Sequence, residues 1–306
     1  AMCGCAAIQR QPAPEHSVER GSTPPGAGES NTTLQIELLF HKTEHSVFLK
    51  CSPTAYSRSG DFLIGGVPLQ VAQSMSQRSE AEIQDGDTGR QIWECAVAMA
   101  KLMECNSQLV KGRRVLELGA GRGVTGMTAT LLGAQHVVLT DLPYCMQMLT
   151  EGLALNGLST NSSGDGAEVA ELNWESPEEF LDARPGQTFD VIIGTDCVWL
   201  ECLVSPLVSA LRAICARSPN AEVLLLNNRR LAHLEEEFLE AMAKAAFKVA
   251  WKLCGGDSAL WCIAHPGAGY ENPENVDWHP DFRPIERLSL WCFKFQPDDH
   301  PGKTTL

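Results

Sequence analysis

The fold class predicted is α/β: a Rossmann-like sheet of seven strands wound with helices, carrying an N-terminal β extension and an insertion before the last strand. Three observations predict it. From Val115 onward short apolar runs alternate with amphipathic runs of helical period, the pattern of parallel strands joined by right-handed crossovers. The first of those strands runs straight into a glycine-rich turn, Gly119-Ala120-Gly121-Arg122-Gly123, that opens a helix. A long segment in which five residues between Gly255 and Gly269 are Pro or Gly separates the last two strands.

Residues 1 to 32 are rich in Gly, Pro, Ser and Glu and poor in apolar side chains, so a disordered tail is expected there. Residues 33 to 90 are expected to hold the β extension and a linker. Leu34 to Phe40 and Ser46 to Lys50 have strand composition, Phe62 to Val71 reads as a hairpin around Gly65-Gly66, and 74 to 90 is polar linker. The main domain is expected over 91 to 306. It opens with a helix from Ile92 to Cys105, which carries Ala96, Met99, Ala100 and Met103 on one face. Strand 115 to 118, helix 124 to 132, strand 136 to 140 and helix 142 to 156, closed by Asn156-Gly157, come next. Strand 167 to 172, a Pro-Gly loop, strand 189 to 194, helix 201 to 217 and strand 222 to 226 follow. A charged helix from Leu231 to Ala246 then leads to strands Phe247 to Leu253 and Leu288 to Phe295, with the insertion, about 255 to 287, between them.

Composition bounds the function. Hydrophobic residues make up 44% of the chain, enough for one large core or two modest ones. No apolar run reaches the roughly 18 residues of a membrane span. The 12 cysteines show neither C-x-x-C pairs nor zinc-site spacing, so they read as small buried hydrophobes in a reducing compartment, with no metal expected. The cytoplasm, or the nucleus, is the expected location. A net charge of −14 and isolated basic pairs at Arg113-Arg114 and Arg229-Arg230 argue against a nucleic-acid partner.

The glycine turn marks a nucleotide-cofactor site, because residues without Cβ let backbone N–H groups approach a ligand and permit positive φ. Two cofactors compete for it. Gly121-Arg122-Gly123-Val124-Thr125-Gly126 satisfies the dinucleotide pattern G-x-G-x-x-G. Glu117, two residues before Gly119, would repel a pyrophosphate but attract the sulfonium and ammonium groups of S-adenosylmethionine, so E-x-G-x-G-x-G favours methyl transfer. Asp141, ending the second strand, suits ribose hydroxyls of either cofactor.

Ligands in such sheets bind beyond the carboxyl ends of the strands, which singles out Gly119 to Gly123, Asp141-Leu142, Asn173-Trp174, Thr195-Asp196 with Trp199, and Asn227 to Arg230. Trp174 could stack on an adenine ring or cap the core, and Trp93 could contact the methionine end of the cofactor or be core.

Ile92-Trp93-Glu94-Cys95-Ala96, Val115 to Gly126, Thr140-Asp141, Leu172-Asn173-Trp174 and Ile193-Gly194-Thr195-Asp196-Cys197-Val198-Trp199 resemble, in order, the motifs of the seven-β-strand methyltransferases of the METTL21-like group, methyltransferase family 16. The resemblance spans about residues 60 to 254 plus the last strand. It implies the class I methyltransferase sheet, S-adenosylmethionine as cofactor, and methylation of a protein side chain, mostly lysine of a non-histone protein. By it, Trp93, Glu117, Gly119, Ala120, Gly121, Asp141, Trp174 and Thr195 would hold the cofactor, and Asp196 would begin a D-x-x-Y signature beside the target amine. The implied partner is a protein substrate, with neither nucleic acid nor membrane, and the chain a monomer.

Trp199 stands where that signature has Tyr. A lysine ammonium has an ordinary pKa of about 10.4, so presenting a neutral amine at pH 7 costs about 4.6 kcal/mol. A tyrosine hydroxyl can accept a hydrogen bond from the amine; an indole N–H only donates, though its π face can hold a cation. Asp196 could orient the amine, with Asn227 or Asn228 as carbonyl acceptors. The absence of a proline pair after Asp196 disfavours amide or adenine nitrogens as acceptors. A small-molecule methyltransferase, a methyltransferase fold that has lost catalysis and serves as an interaction module, and a dinucleotide oxidoreductase stand as alternatives.

Overall fold

The computed structural model describes residues 62–72, 88–159, 164–254 and 287–297. The strands expected at 34 to 40 and 46 to 50, the tail, most of the linker and nearly all of the insertion lie outside the described residues.

Two short antiparallel strands, β1 (Leu63–Ile64) and β2 (Val67–Pro68), turn through Gly65-Gly66 as the hairpin pattern predicts. The main domain runs α1 (Glu94–Cys105), β3 (Arg114–Leu118), α2 (Val124–Leu131), β4 (His136–Asp141), α3 (Met146–Leu155), β5 (Gly166–Glu171) and α4 (Pro177–Asp182). It continues with β6 (Val191–Thr195), α5 (Glu201–Arg217), β7 (Glu222–Asn228), α6 (Ala232–Lys244), β8 (Phe247–Cys254) and β9 (Leu288–Phe295). The seven strands β3 to β9 form one sheet in the order β5-β4-β3-β6-β7-β9-β8.

Strand–helix alternation predicts parallel strands, and β5, β4, β3, β6 and β7 pair in parallel in that spatial order; β9, whose direction the pattern left open, pairs antiparallel with both β7 and β8. The cause is topological. β8 ends and β9 begins at the same edge of the sheet, where Cys254 pairs with Ser289. That edge is the carboxyl end of the parallel strands, where ligands bind in folds of this kind.

Alternate strand residues feed two hydrophobic layers, as expected for a sheet covered on both faces. Val115, Val137, Leu139, Val191, Ile193 and Leu224 pack with the buried faces of α1, α2 and α3. Leu116, Leu118, Val138, Ile192, Val223 and Leu225 pack with α4, α5 and α6, where Phe238 of α6 meets Phe293 of β9 edge-on at 6.0 Å. α4 was read as part of a loop. Its six residues are too few for a periodic signal, yet Pro177 sets its first turn and Phe180 and Leu181 are buried. The helix expected from 142 begins as a 3-10 turn, Pro143–Cys145, with α3 proper starting at Met146.

The β1–β2 piece is strapped to the domain through polar side chains. Lys101 donates to the Leu63 carbonyl at 2.7 Å and Glu104 accepts the Gly65 amide at 2.7 Å. Asn156 accepts from the Gln70 amide and donates to its carbonyl. Among the described residues no helix is long and apolar enough to cross a membrane.

Candidate active site at the carboxyl edge of the sheet

β3 delivers the chain into a turn held open by left-handed glycines. Gly119 and Gly121 have φ of 61° and 53°, conformations that disfavour any side chain. Space is equally short. A Cβ on Gly119 would lie 3.3 Å from the Trp174 ring, and one on Gly121 3.0 Å from the Gly89 carbonyl oxygen. Gly126 serves a different purpose: it is helical, but a Cβ there would sit 2.5 Å from a Glu117 carboxylate oxygen and 2.6 Å from Leu139. The spacing that also fitted a dinucleotide pattern therefore arises partly from α2 packing closely on β3 and β4. Ala120 completes the turn, its amide donating to the Thr140 carbonyl at 2.9 Å.

Three carboxylates gather around this turn. Glu117 is fully buried, and its Oε2 accepts the Gly126 amide at 2.9 Å. Burial pushes its carboxyl up to about 8, with Asp141 adding in the same direction and the Gly126 amide opposing. Burial thus opposes the ionised form on which the sequence reading of Glu117 relied, and the carboxyl group is engaged with the first turn of α2 through the Gly126 amide. Asp141, ending β4, accepts the amides of Gly121 and Leu142, each at 2.7 Å; burial pushes it up and those two amides pull it down. Buried Cys197, whose Sγ lies 3.6 Å from the Leu118 carbonyl, feels all three: after burial, Asp196, Asp141 and Glu117 push its thiol up in turn.

On the other side of Cys197, β6 ends at half-buried Thr195 and the chain turns at Asp196, which has φ of 58° although it is not glycine. Its carboxylate is already paired within the chain. Arg230 grips it with both guanidinium nitrogens, at 2.6 and 2.5 Å, and the guanidinium lies 5.5 Å over the Trp93 ring. The Asn228 amide donates to the same carboxylate at 3.3 Å. Glu94, the first residue of α1, accepts from the Asn228 side-chain amide; burial and then Asp196 push its carboxyl up. Asn227 accepts the Val198 amide at 3.2 Å, which fixes the loop carrying half-buried Trp199. The Asn228 carbonyl oxygen is buried without a hydrogen-bond partner among the described residues.

The structure thus brings Glu117, Gly119, Ala120, Gly121, Asp141 and Trp174 around one turn, and Trp93, Asp196, Arg230, Glu94 and Asn228 into an adjoining cluster that Cys197 links to it. Trp199 lies three residues beyond Asp196 on the same connection. Sequence reasoning gave no role to Glu94 and flagged Arg230 only as one of the residues after a strand. Glu94 stood beside Trp93 in a motif, but nothing local signals that a residue of α1 meets the ends of β6 and β7.

The residues present fit a cationic, adenosine-bearing cofactor. Two left-handed glycines leave a cradle that Cβ atoms would fill, an acid at the end of β4 suits ribose hydroxyls, Trp174 flanks the turn, and the anionic groups nearby favour a positively charged ligand over a diphosphate. Among the described residues there is no cluster of acidic, His and Cys side chains that could hold a metal ion.

Comparison with known proteins agrees. The chain is 33% identical over 196 residues to the protein N-lysine methyltransferase METTL21A of Xenopus tropicalis, covering 64% of this chain and 81% of that protein. It is 30% identical over 184 residues to METTL21A of Danio rerio, covering 60% and 77%. It is also 28% identical over 193 residues to the EEF1A lysine methyltransferase 3 of Mus musculus, covering 63% and 75%. The family model described as lysine methyltransferase matches residues 73–245, more than half of the chain. With the seven-stranded sheet and the glycine cradle, that match establishes that this chain belongs to the lysine methyltransferases of methyltransferase family 16, which use S-adenosylmethionine.

Proposed function

We propose that the protein transfers a methyl group from S-adenosylmethionine to the side-chain nitrogen of a lysine in a non-histone protein. The observation that carries the proposal is the adjacency of two sites at one sheet edge: the glycine cradle with Asp141, and the cluster of Asp196, Glu94 and Asn228 walled by Trp93. Bound cofactor supplies the activated methyl group. Trp93, Glu117, Gly119, Ala120, Gly121, Asp141, Trp174 and Thr195 hold it. Asp196 and Trp199 meet the acceptor amine, and the unpartnered Asn228 carbonyl offers it a hydrogen-bond acceptor. Glu117 acts here by fixing α2 through Gly126. Positioning and desolvation supply most of the rate, since the reaction is an in-line displacement at carbon. The name of one relative, EEF1A lysine methyltransferase 3, points to an EEF1A-type protein substrate; the −14 net charge favours a target with a basic surface.

Incubating the protein with tritiated cofactor and a cell lysate tests this. Label is expected in a protein band, abolished by Asp196→Ala, and peptide mapping by mass spectrometry is expected to locate it on lysine. Label confined to small molecules would refute the proposal.

A further inference from the structure

We propose that Arg230 is a positioning residue that cancels the charge of Asp196, so that the carboxylate receives the methyl acceptor as a neutral amine and not as an ammonium. The inference rests on the lysine reading above. An isolated carboxylate favours the charged form of a neighbouring lysine and would raise the cost of deprotonation, which the reaction must meet before nitrogen can attack carbon. A guanidinium stays charged at all working pH values and matches a carboxylate with two parallel donors.

The geometry commits Arg230 to this task. Both carboxylate oxygens of Asp196 are gripped, at 2.6 and 2.5 Å, and the Asp196 side chain is only 4% exposed while that of Arg230 is 36% exposed. The Trp93 ring backs the guanidinium at 5.5 Å. Asp196 itself is fixed, with its amide donating to the Leu226 carbonyl at 2.8 Å and its backbone left-handed. A pairing serving only stability would need no such arrangement, because buried ion pairs are seldom more stabilising than apolar packing.

The other groups facing the pair are Glu94 and Cys95 from α1, Asn228 from β7, Cys197 from the β6 connection and Arg287 just before β9. Of these Glu94 is the second carboxylate. It takes the Asn228 side-chain N–H, and burial and then Asp196 push its carboxyl up against the weaker pull of Arg230 and Arg287. The Asn228 carbonyl, buried and unpartnered, is an acceptor that suits the N–H of a neutral amine while leaving the nitrogen lone pair free.

The sign of the pH effect follows. Methyl transfer needs the neutral amine, so kcat rises with pH through the acceptor's apparent pKa in the complex. Removing the guanidinium leaves Asp196 to stabilise ammonium, which moves that rise to higher pH. In Arg230→Gln the limb is expected to move up by about one pH unit, lowering kcat about tenfold below the wild-type limb, with the loss disappearing above the shifted one. Arg230→Lys, which keeps the charge, is expected to leave the limb within about half a unit of wild type. In Asp196→Asn, where Arg230 is unopposed, the limb is expected to move to lower pH and KM to rise.

Adenosylhomocysteine calorimetry reports whether each variant retains the folded cofactor site. Variants that bind it normally but lose rate equally at every pH, or whose pH limb does not move, would overturn the proposal. Should Arg230→Gln fail to fold, the unmoved limb expected of Arg230→Lys and the downward shift expected of Asp196→Asn carry the same test. A wild-type protein that labels no lysine overturns the functional reading instead, a distinguishable result.

Discussion

Glu117→Gln is expected to make the protein less sensitive to alkaline pH. Glu117 lies fully buried with its carboxyl pushed from an ordinary 4.5 up to about 8, chiefly by burial. Unfolding exposes the side chain to water, where it ionises near its ordinary value. Between those two pH values the folded state therefore holds one more proton than the unfolded state, and stability falls as pH rises. The contribution is complete below pH 4.5 and lost as pH passes about 8. Each pH unit in that interval costs the fold about 1.4 kcal/mol, about 5 kcal/mol in all. Glutamine has the same shape and its carbonyl can take the Gly126 amide, but its second amide proton enters a buried place, at a cost of about 1 to 3 kcal/mol. The variant should thus be close to wild type or slightly weaker at pH 5, and more stable by about 2 to 4 kcal/mol at pH 8.5. Urea unfolding of both proteins at pH 5, 7 and 8.5 measures the difference. That difference should grow by about 4 kcal/mol across the series, whatever the cost of the extra proton. A flat difference, within about 1 kcal/mol, would show that Glu117 is already ionised in the folded protein and that its burial has been misjudged.

Gly126→Ala drives a methyl group to 2.5 Å from the Glu117 carboxylate and 2.6 Å from Leu139, both buried side chains, so urea unfolding should show a loss of about 1 to 3 kcal/mol; an unchanged midpoint would contradict the close packing of α2 on β3. Asp141→Ala removes the acceptor of the Gly121 and Leu142 amides together with the ribose partner. Charged hydrogen bonds are worth about 1.5 to 3 kcal/mol each, so calorimetry should find adenosylhomocysteine affinity down by roughly 10- to 150-fold, and undiminished affinity would remove Asp141 from the cofactor site. Trp199→Ala should raise KM for the protein substrate by roughly 2- to 30-fold, the range of an aromatic–cation contact, whereas Trp199→Tyr should keep or improve kcat by supplying an acceptor hydroxyl. Steady-state kinetics with both variants decides, and a Tyr variant as impaired as Ala would contradict it.

What was legible in the sequence was what the chain encodes locally. The turn from Gly119 to Gly123 follows its strand directly, so the local backbone geometry announces it. Asp141 follows because a strand of fixed rise ends at a predictable place beside it. The helices α1, α5 and α6 are long enough for their periodicity to show. α4, at six residues, is not. The direction of β9 was illegible for a different reason: a strand buried on both faces carries the same residues whichever way it runs, and only the connection before it decides.

The site divides along the same line. That an acidic crevice awaits a cation could be read from E-x-G-x-G-x-G, but the depth at which its acid is buried could not. Burial depth is a tertiary property: Glu117 sits deep enough that burial pushes its carboxyl up, and Asp196 is met by the Arg230 guanidinium. The pairing of Asp196 with Arg230, 34 residues apart, and of Asn228 with Glu94, 134 apart, likewise exists only once β6, β7 and α1 converge. These unpredicted pairings bear on the hardest step of the chemistry. Local motifs prescribe where a methyl donor rests, since that place is built from one turn. How an acceptor loses its proton depends on the charge balance among three separate elements, and a substitution such as Tyr to Trp at 199 can be tolerated when that balance is set by other residues.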